Sequence, residues 1–285
     1  MAEREIWPAL QHELAAGRAC ALLVVSEHRG SSPGRRGMLM AVSRHGPLAG
    51  TIGGGQAETT LVAAAQAALQ AENLQPWRQT LIHHAMDSNA SGMICGGQQT
   101  VVVGFWQPGQ ALPATGDPWS IVGDGWTYHH TPARKFTACL IGGGHVSLAL
   151  SRLLDRLDFE VQVFEERPGI ATFVANTAAH AKHHTPYASL ADQVPAGNRV
   201  FVAIMTHSHE RDAAALHALA GRPFGYLGLL GSRHKLNSLL AGEARPDFLR
   251  APMGLPIGSH TAEEIAVSIA AEMVAVRHAI AGSEE

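Results

Sequence analysis

One stretch near the middle of the chain limits the possible folds more than any other. A short apolar run at residues 137–141 is followed by three consecutive glycines and then by leucines at helical spacing up to Leu157. A second apolar run at residues 161–164 ends in Glu165. A strand, a glycine turn, a helix and a strand within about thirty residues are typical of a βαβ unit. The sequence therefore predicts an α/β fold here, a Rossmann-like parallel sheet with helices on both faces.

The glycine turn is also a candidate binding site for an anion. Glycines let backbone N–H groups approach a ligand closely, and the helix N-terminus adds partial positive charge. Glu165 stands about twenty residues beyond the turn, where an acidic side chain commonly accepts hydrogen bonds from ribose hydroxyls. Ser147 replaces the third glycine of the G-x-G-x-x-G pattern. We interpret Gly142, Gly143 and Gly144 as a site for a phosphate-bearing ligand, with a purely structural turn as the alternative.

Composition narrows the class of protein. The 285 residues are enough for two domains, and the net charge of -3 argues against an extended nucleic-acid-binding surface. No apolar run approaches the roughly 18 residues of a membrane span, and the acidic N-terminus is unlike a signal peptide. Three widely spaced cysteines indicate a reducing compartment. We expect a cytoplasmic protein with neither a membrane nor a nucleic-acid partner.

The chain is predicted to form two domains joined by a linker. Residues 107–134 contain four prolines and several glycines but no long periodic segment, which is typical of an interdomain linker. A short hairpin near residues 119–128 is the only regular structure expected there. We therefore predict an N-terminal α+β domain at 1–106 and the Rossmann-like domain at 135–285.

Two loops of the first domain also suit an oxyanion. Residues 30–37 read Gly-Ser-Ser-Pro-Gly-Arg-Arg-Gly, so that two hydroxyls and two guanidinium groups, including Ser31, Ser32 and Arg35, lie in one turn-forming loop. A β-hairpin with solvated arginines is the open alternative. Further on, Gly53, Gly54 and Gly55 precede an alanine-rich helix, another candidate anion site. Glu58 in its first turn could simply complement the helix dipole.

Cys95 is the candidate soft ligand. It stands beside Gly96 and Gly97, which offer little side-chain cover. The thiol could therefore be accessible and bind sulfur or a metal, or it could be one of the many cysteines that are buried and inert.

Polar residues follow two later strands of the second domain. His207, His209 and Asp212 come after the apolar run at 200–204 and invite a metal-binding interpretation, but loop and helix-cap roles are favoured. Ser232 and Arg233 follow the run at 224–230. The guanidinium group of Arg233 could balance phosphate charge, or Arg233 could be an exposed residue at the start of a helix.

Taken in order, the motifs form a recognisable set. They are Gly30-Ser-Ser-Pro, Gly50-Thr-Ile-Gly-Gly-Gly-Gln-Ala-Glu58, Cys95-Gly-Gly97, Gly142-Gly-Gly-His145, Thr206-His207 with Asp212, Gly228-Leu-Leu-Gly-Ser-Arg233, and Pro256-Ile-Gly258 with Thr261-Ala-Glu-Glu-Ile-Ala266. With this set the chain resembles the XdhC/CoxI family of xanthine dehydrogenase accessory proteins over nearly its whole length.

The resemblance implies a family-specific N-terminal domain, a C-terminal Rossmann-like domain and a cytoplasmic chaperone for the molybdenum cofactor. Such a protein holds molybdopterin, supports its sulfuration with a cysteine desulfurase, and delivers it to the molybdenum subunit of xanthine dehydrogenase. It is generally a homodimer without catalytic turnover of its own. The residues implied to bind cofactor are Ser31, Ser32, Arg35, Gly53, Gly54, Gly55, Glu58, Cys95, Gly96, Gly97, Gly142, Gly143, Gly144, His145, Glu165, His207, Ser232 and Arg233, with Cys95 as the metal ligand.

The sequence departs from the family at some positions, and two other functions remain open. Ile94 stands where many relatives carry a first cysteine, and Glu165 replaces the usual aspartate. An NAD(P)-dependent oxidoreductase is the main alternative, with NAD(P) in the Rossmann-like half and His145 and His207 serving hydride transfer. A metal hydrolase built on His207 and its neighbours is the other.

Overall fold

The protein is described here by a computed structural model covering residues 2–83, 97–132, 134–231 and 249–283. The chain divides into two compact units, Met1–Ala133 and Arg134–Glu285. The expected hairpin forms at Trp119–Gly123 and Trp126–His130. Trp119 and Ile121 of this hairpin pack in the core of the first unit, so the segment expected as a linker contributes to that unit.

The first unit is built on a five-stranded antiparallel sheet in the order β3-β2-β1-β5-β4. Its elements are α1 (Ala2–Ala15), β1 (Cys20–Gly30), β2 (Leu39–Ser43), β3 (Gly46–Gly50), α2 (Gly55–Gln70), β4 (Trp77–His83), β5 (Gly97–Trp106), and the hairpin strands β6 (Trp119–Gly123) and β7 (Trp126–His130).

A helix covers each face of this sheet. Leu22 and Val24 of β1 share one apolar cluster with α1, whereas Leu23 and Val25 share another with α2. Since successive side chains of a strand point to opposite faces, a continuous apolar run is the pattern that a strand covered on both faces requires.

The second unit is a six-stranded sheet in the order β10-β9-β8-β11-β12-β13 in which every neighbouring pair is parallel. Its elements are β8 (Phe136–Ile141), α3 (His145–Arg156), β9 (Phe159–Glu165), α4 (Ala171–Val174), β10 (Ala181–His184), α5 (Leu190–Gln193), β11 (Gly197–Ile204), α6 (His209–Leu219), β12 (Phe224–Leu229), β13 (Leu249–Arg250) and α7 (Ala262–Ser283).

Helices cover both faces of the parallel sheet, as predicted. Residues of α3 and α7 pack on one face and residues of α5 and α6 on the other. The Rossmann-like fold class is therefore confirmed. The chain leaves β8 toward β9 on one side and returns to β11 on the other, so the carboxyl ends of β8 and β11 lie side by side where ligands of such sheets bind.

Helix α7 is long and rich in apolar residues. Within the described part of the chain, Ala262–Gly282 is the one helix whose length and composition would allow it to cross a membrane. Ala266, Ile269, Ala270 and Met273 are nevertheless buried in the core beside the sheet. These four residues pack the helix against one face of the sheet.

Candidate functional site

Three of the predicted motifs in the first unit contact one another. The pairing of β1 with β5 continues out to Gly30 and Gly97. A Cβ on Gly97 would lie 2.6 Å from the backbone nitrogen of Ser32, and a Cβ on Gly53 would lie 2.6 Å from that of Gly34. Both distances are shorter than Cβ atoms tolerate, so these glycines are required for the close approach of the three segments.

Gln99 joins two of these segments through its side chain. Its Oε1 accepts hydrogen bonds from Ser32 Oγ at 2.7 Å and from the Gly34 N–H at 2.8 Å. Its Nε2 donates to the carbonyl oxygen of Ile52 at 3.1 Å. The side chain is buried, with the residue only 1% exposed. Gln99 was not among the predicted residues, although a glutamine two residues before Val101, and so on the same face of the strand, indicates a buried polar contact.

Glu58 fills the glycine turn before α2 with a carboxylate of the same chain. Its Oε2 accepts from Thr51 Oγ1 at 2.5 Å, from the Ile52 N–H at 2.8 Å and from the Gly54 N–H at 3.1 Å. The amides of the turn therefore donate to a carboxylate, and that carboxylate belongs to Glu58 of the same chain. Its role as a cofactor ligand stays a prediction.

The outer side of the same region remains polar and accessible. Ser31 and Arg35 are exposed, and Ser32 is buried beneath them. Gly54 has a positive φ of 76°, and a Cβ there would meet no described atom within 4 Å. Exposed side-chain donors thus lie in the first loop, and the described residues leave open space at Gly54 in the second.

In the second unit, Glu165 closes the other glycine turn in the same manner. Its carboxylate accepts from the Gly143 N–H at 2.8 Å and from Tyr187 Oη at 3.2 Å. Arg167 adds its backbone N–H, Nε and Nη2 at 2.9, 3.0 and 2.9 Å. A carboxylate offers about four acceptor sites, so these five bonds saturate it.

The surroundings of Glu165 keep it ionised. Burial raises the pKa of Glu165, but the hydrogen bonds from Arg167 and from the Gly143 amide outweigh burial and lower this pKa to about 2. Burial, and after it the neighbouring Glu165 carboxylate, raise the pKa of the Tyr187 hydroxyl, which therefore stays a proton donor. No acceptor position is left for a ribose hydroxyl in this conformation.

The three glycines of the second turn have different surroundings. A Cβ on Gly142 would lie 2.5 Å from the Met205 carbonyl oxygen, and a Cβ on Gly143 would lie 2.8 Å from Phe173 Cβ. A Cβ on Gly144 would meet no described atom within 4 Å, and the neighbouring His145 is exposed. Packing within the domain requires the first two glycines, and among the described residues the Gly144 end of the turn is the one left open to a ligand.

The polar residues after β11 form a helix cap. Asp212 is fully buried, and its Oδ1 accepts from the Thr206 N–H at 3.0 Å and from Thr206 Oγ1 at 2.6 Å. Ser208 caps α6 by accepting from the Arg211 N–H, whereas His207 is exposed. The described ranges contain no group of three side chains able to hold a metal ion. The favoured loop and cap roles account for these contacts.

Cys95, Gly96, Ser232 and Arg233 lie outside the described residues. Cys20 and Cys139 are buried, and burial raises the pKa of each thiol to about 12.

The fold and these sites define a two-unit α/β protein whose second unit is a Rossmann domain. Residues 13–78 match the model of the XdhC and CoxI family, and residues 139–273 match that of the XdhC Rossmann domain. The chain belongs to the XdhC and CoxI family of xanthine dehydrogenase accessory proteins.

Similar proteins agree with this membership. The uncharacterized protein YqeB of Escherichia coli strain K12 is 30% identical over 272 residues, covering 90% of this chain and 43% of YqeB. A probable xanthine dehydrogenase subunit of Bacillus subtilis strain 168 is 30% identical over 146 residues, covering 50% of this chain and 43% of that protein. The chain thus spans less than half the length of either relative.

A solved structure shows the same fold. The crystal structure of a xanthine dehydrogenase from Bacillus halodurans superposes with a TM-score of 0.76 at 21% identity, over 95% of each chain.

Proposed function

We propose that this chain binds the molybdenum cofactor, supports its sulfuration and delivers it to the molybdenum subunit of xanthine dehydrogenase. Family membership supports a connection with xanthine dehydrogenase. The observation that carries the cofactor proposal is the meeting of the Ser31–Arg35 loop, the Gly53–Gly55 turn and Gly97 in one region of the first unit.

The exposed side chains of this region fit the phosphate end of molybdopterin. Hydroxyl and guanidinium donors are the groups that recognise phosphate, and Ser31 and Arg35 present both. In the glycine turn that contacts this loop, the described residues leave open space at Gly54. Because Glu58 already occupies the Ile52 and Gly54 amides, we assign phosphate binding to the side chains and treat the glycine turn as their support.

We assign the metal end of the cofactor to Cys95. A thiolate is a soft ligand suited to molybdenum, and Cys95 stands two residues before Gly97 in the sequence. The two buried cysteines fit this role poorly, because burial raises their pKa and disfavours the thiolate. The cofactor, when bound, supplies the molybdenum chemistry, and the chain holds and shields it. A cysteine desulfurase as sulfur donor, a homodimer and a cytoplasmic location belong to the same proposal.

Mass spectrometry of small molecules released from the purified protein tests the proposal. We expect molybdopterin in the wild type and its loss in Cys95→Ser and Arg35→Met. Arg44→Met is the matched control, because it removes an exposed arginine between β2 and β3 and should leave the cofactor bound. Wild-type protein isolated from cells that make the cofactor, yet carrying none, would contradict the proposal.

An NAD(P)-dependent oxidoreductase is the second candidate. The open Gly144 end of the turn, at the N-terminus of α3, favours a nucleotide phosphate there. The saturated carboxylate of Glu165 weighs against ordinary ribose binding. Titration of the purified protein with NADH and NADPH tests the oxidoreductase candidate. We expect no binding of either nucleotide while Glu165 and Arg167 remain paired.

A further inference from the structure

The amide of Gln99 is the side-chain link between the two loops of the candidate cofactor site. One oxygen accepts from Ser32 Oγ and from the Gly34 N–H, at 2.7 and 2.8 Å. The nitrogen of the same amide donates to the Ile52 carbonyl oxygen at 3.1 Å. Ser32 and Gly34 belong to the first loop, and Ile52 lies immediately before the glycines of the second.

The chemistry of these contacts requires an amide. The Ser32–Gly34 side presents donors and the Ile52 side presents an acceptor, so one side chain must both accept and donate. A glutamate of equal length keeps the acceptor but loses the donor when ionised. An aliphatic side chain would leave the partners on both loops unpaired in a buried position, which is unfavourable.

The backbones of the two loops are also in close contact. A Cβ on Gly34 would collide with the amide of Gln99 and with the Ile52 carbonyl, so Gln99 fills a space left by a glycine. Arg35 follows directly on Gly34, and Gly53 follows directly on Ile52. A shift of the amide would therefore move the exposed donor loop relative to the glycine turn.

We propose that Gln99 is a positioning residue that sets the spacing of the Ser31–Arg35 loop and the Gly53–Gly55 turn, and thereby the affinity of the site for the anionic end of molybdopterin. This inference rests on the proposed function. Gln99 does not contact the cofactor in this proposal, and it acts through Ser32, Gly34 and Ile52.

The test substitutes one atom of the amide. In Gln99→Glu, an ionised carboxylate turns an oxygen toward the Ile52 carbonyl and repels it, whereas a protonated carboxyl donates a hydrogen bond there and restores all three contacts. Burial raises the pKa of a carboxyl above its usual range. The loss of the Ile52 contact should therefore be present at pH 8, where the carboxyl is ionised, and should diminish at pH 5, where it is protonated. Gln98→Glu is the matched control, because it makes the same chemical change at the neighbouring position on the opposite face of β5.

Two measurements on the full chain separate the inference from the proposed function. Amide hydrogen exchange, corrected for the intrinsic effect of pH, should show faster exchange in both loops of Gln99→Glu at pH 8 and recovery at pH 5. Retention of molybdopterin should fall by about tenfold at pH 8, relative to wild type at the same pH, and recover in parallel. Gln98→Glu should behave as wild type in both measurements.

The contrary outcomes are distinct. Unchanged exchange in either loop of Gln99→Glu would overturn the coupling of the loops. Faster exchange in both loops with wild-type retention would overturn the positioning role. Wild-type protein that retains no molybdopterin would overturn the proposed function, and the exchange measurement would then decide the coupling of the loops alone.

Discussion

Replacing Glu165 by glutamine tests the electrostatic account of the second glycine turn. Glu165 is fully buried and ion-paired with Arg167, whose side chain is 34% exposed. Glutamine keeps the shape of the side chain but removes the charge, and its NH₂ group must face at least two of the five donors, because one carboxylate oxygen accepts three of them and the other accepts two. We expect Glu165→Gln to lower the free energy of unfolding of the second unit.

The size of the loss follows from the pKa of Glu165, which falls from 4.5 to about 2 on folding. A carboxyl whose folded-state pKa is depressed contributes stability that is complete above its unfolded pKa and is lost as the pH falls through the folded pKa. This contribution is roughly 3 kcal/mol at pH 7 and about 1 to 2 kcal/mol at pH 3. The partial exposure of Arg167 makes both figures upper values, since solvent screens the pair.

Amide hydrogen exchange at increasing urea concentrations is the suitable assay. Tryptophan fluorescence reports only on the first unit, which contains all five tryptophans, Trp7, Trp77, Trp106, Trp119 and Trp126. Peptides from β8 and β9 instead report on the second unit. Glu160→Gln, an exposed charge removal on β9, is the control. A loss no greater than that of Glu160→Gln at pH 7, or one that stays constant down to pH 3, would refute the reasoning.

Three further predictions concern single residues. Gly143→Ala should lower the melting temperature, by the equivalent of about 1 to 3 kcal/mol, because its Cβ would lie 2.8 Å from Phe173 Cβ, whereas Gly144→Ala should be nearly neutral in the same thermal scan. Glu58→Gln should lower the unfolding free energy of the first unit by about 1 to 2 kcal/mol in urea titrations followed by tryptophan fluorescence, since two loop amides lose their charged acceptor. In native protein, one thiol should react rapidly with an aromatic disulfide reagent, and Cys95→Ser should abolish that reaction; a rapid second thiol would contradict the burial of the other two.

Much of the second unit could be predicted because its signals are local. The apolar run, the glycine turn and the leucine spacing of β8 and α3 lie within twenty residues of one another, and each follows the period of its own element. The capping box at the start of α7 is equally local: Thr261 and Glu264 exchange hydrogen bonds, the contact that a threonine followed three residues later by a glutamate favours.

The contacts of the candidate site were harder to predict, because they join residues far apart in the chain. The side chain of Gln99 reaches Ser32 and Ile52, which lie 67 and 47 residues away. Phe173 belongs to α4, which follows β9 in the chain. It packs on Gly143 because α4 folds back over the glycine turn between β8 and α3. A single sequence contains no signal for such pairings beyond a polar residue at an inward-facing position.

The amino-acid sequence alone determined the fold class, the positions of the glycine turns and the family, since these depend on periodicity and on ordered local motifs. Only the tertiary structure decided which groups occupy those turns. Glu58 and Glu165 each accept the loop amides that the sequence offered to a ligand. The reason is physical: a backbone N–H can be satisfied by any acceptor of suitable charge and distance, and three-dimensional packing determines which acceptor is nearest.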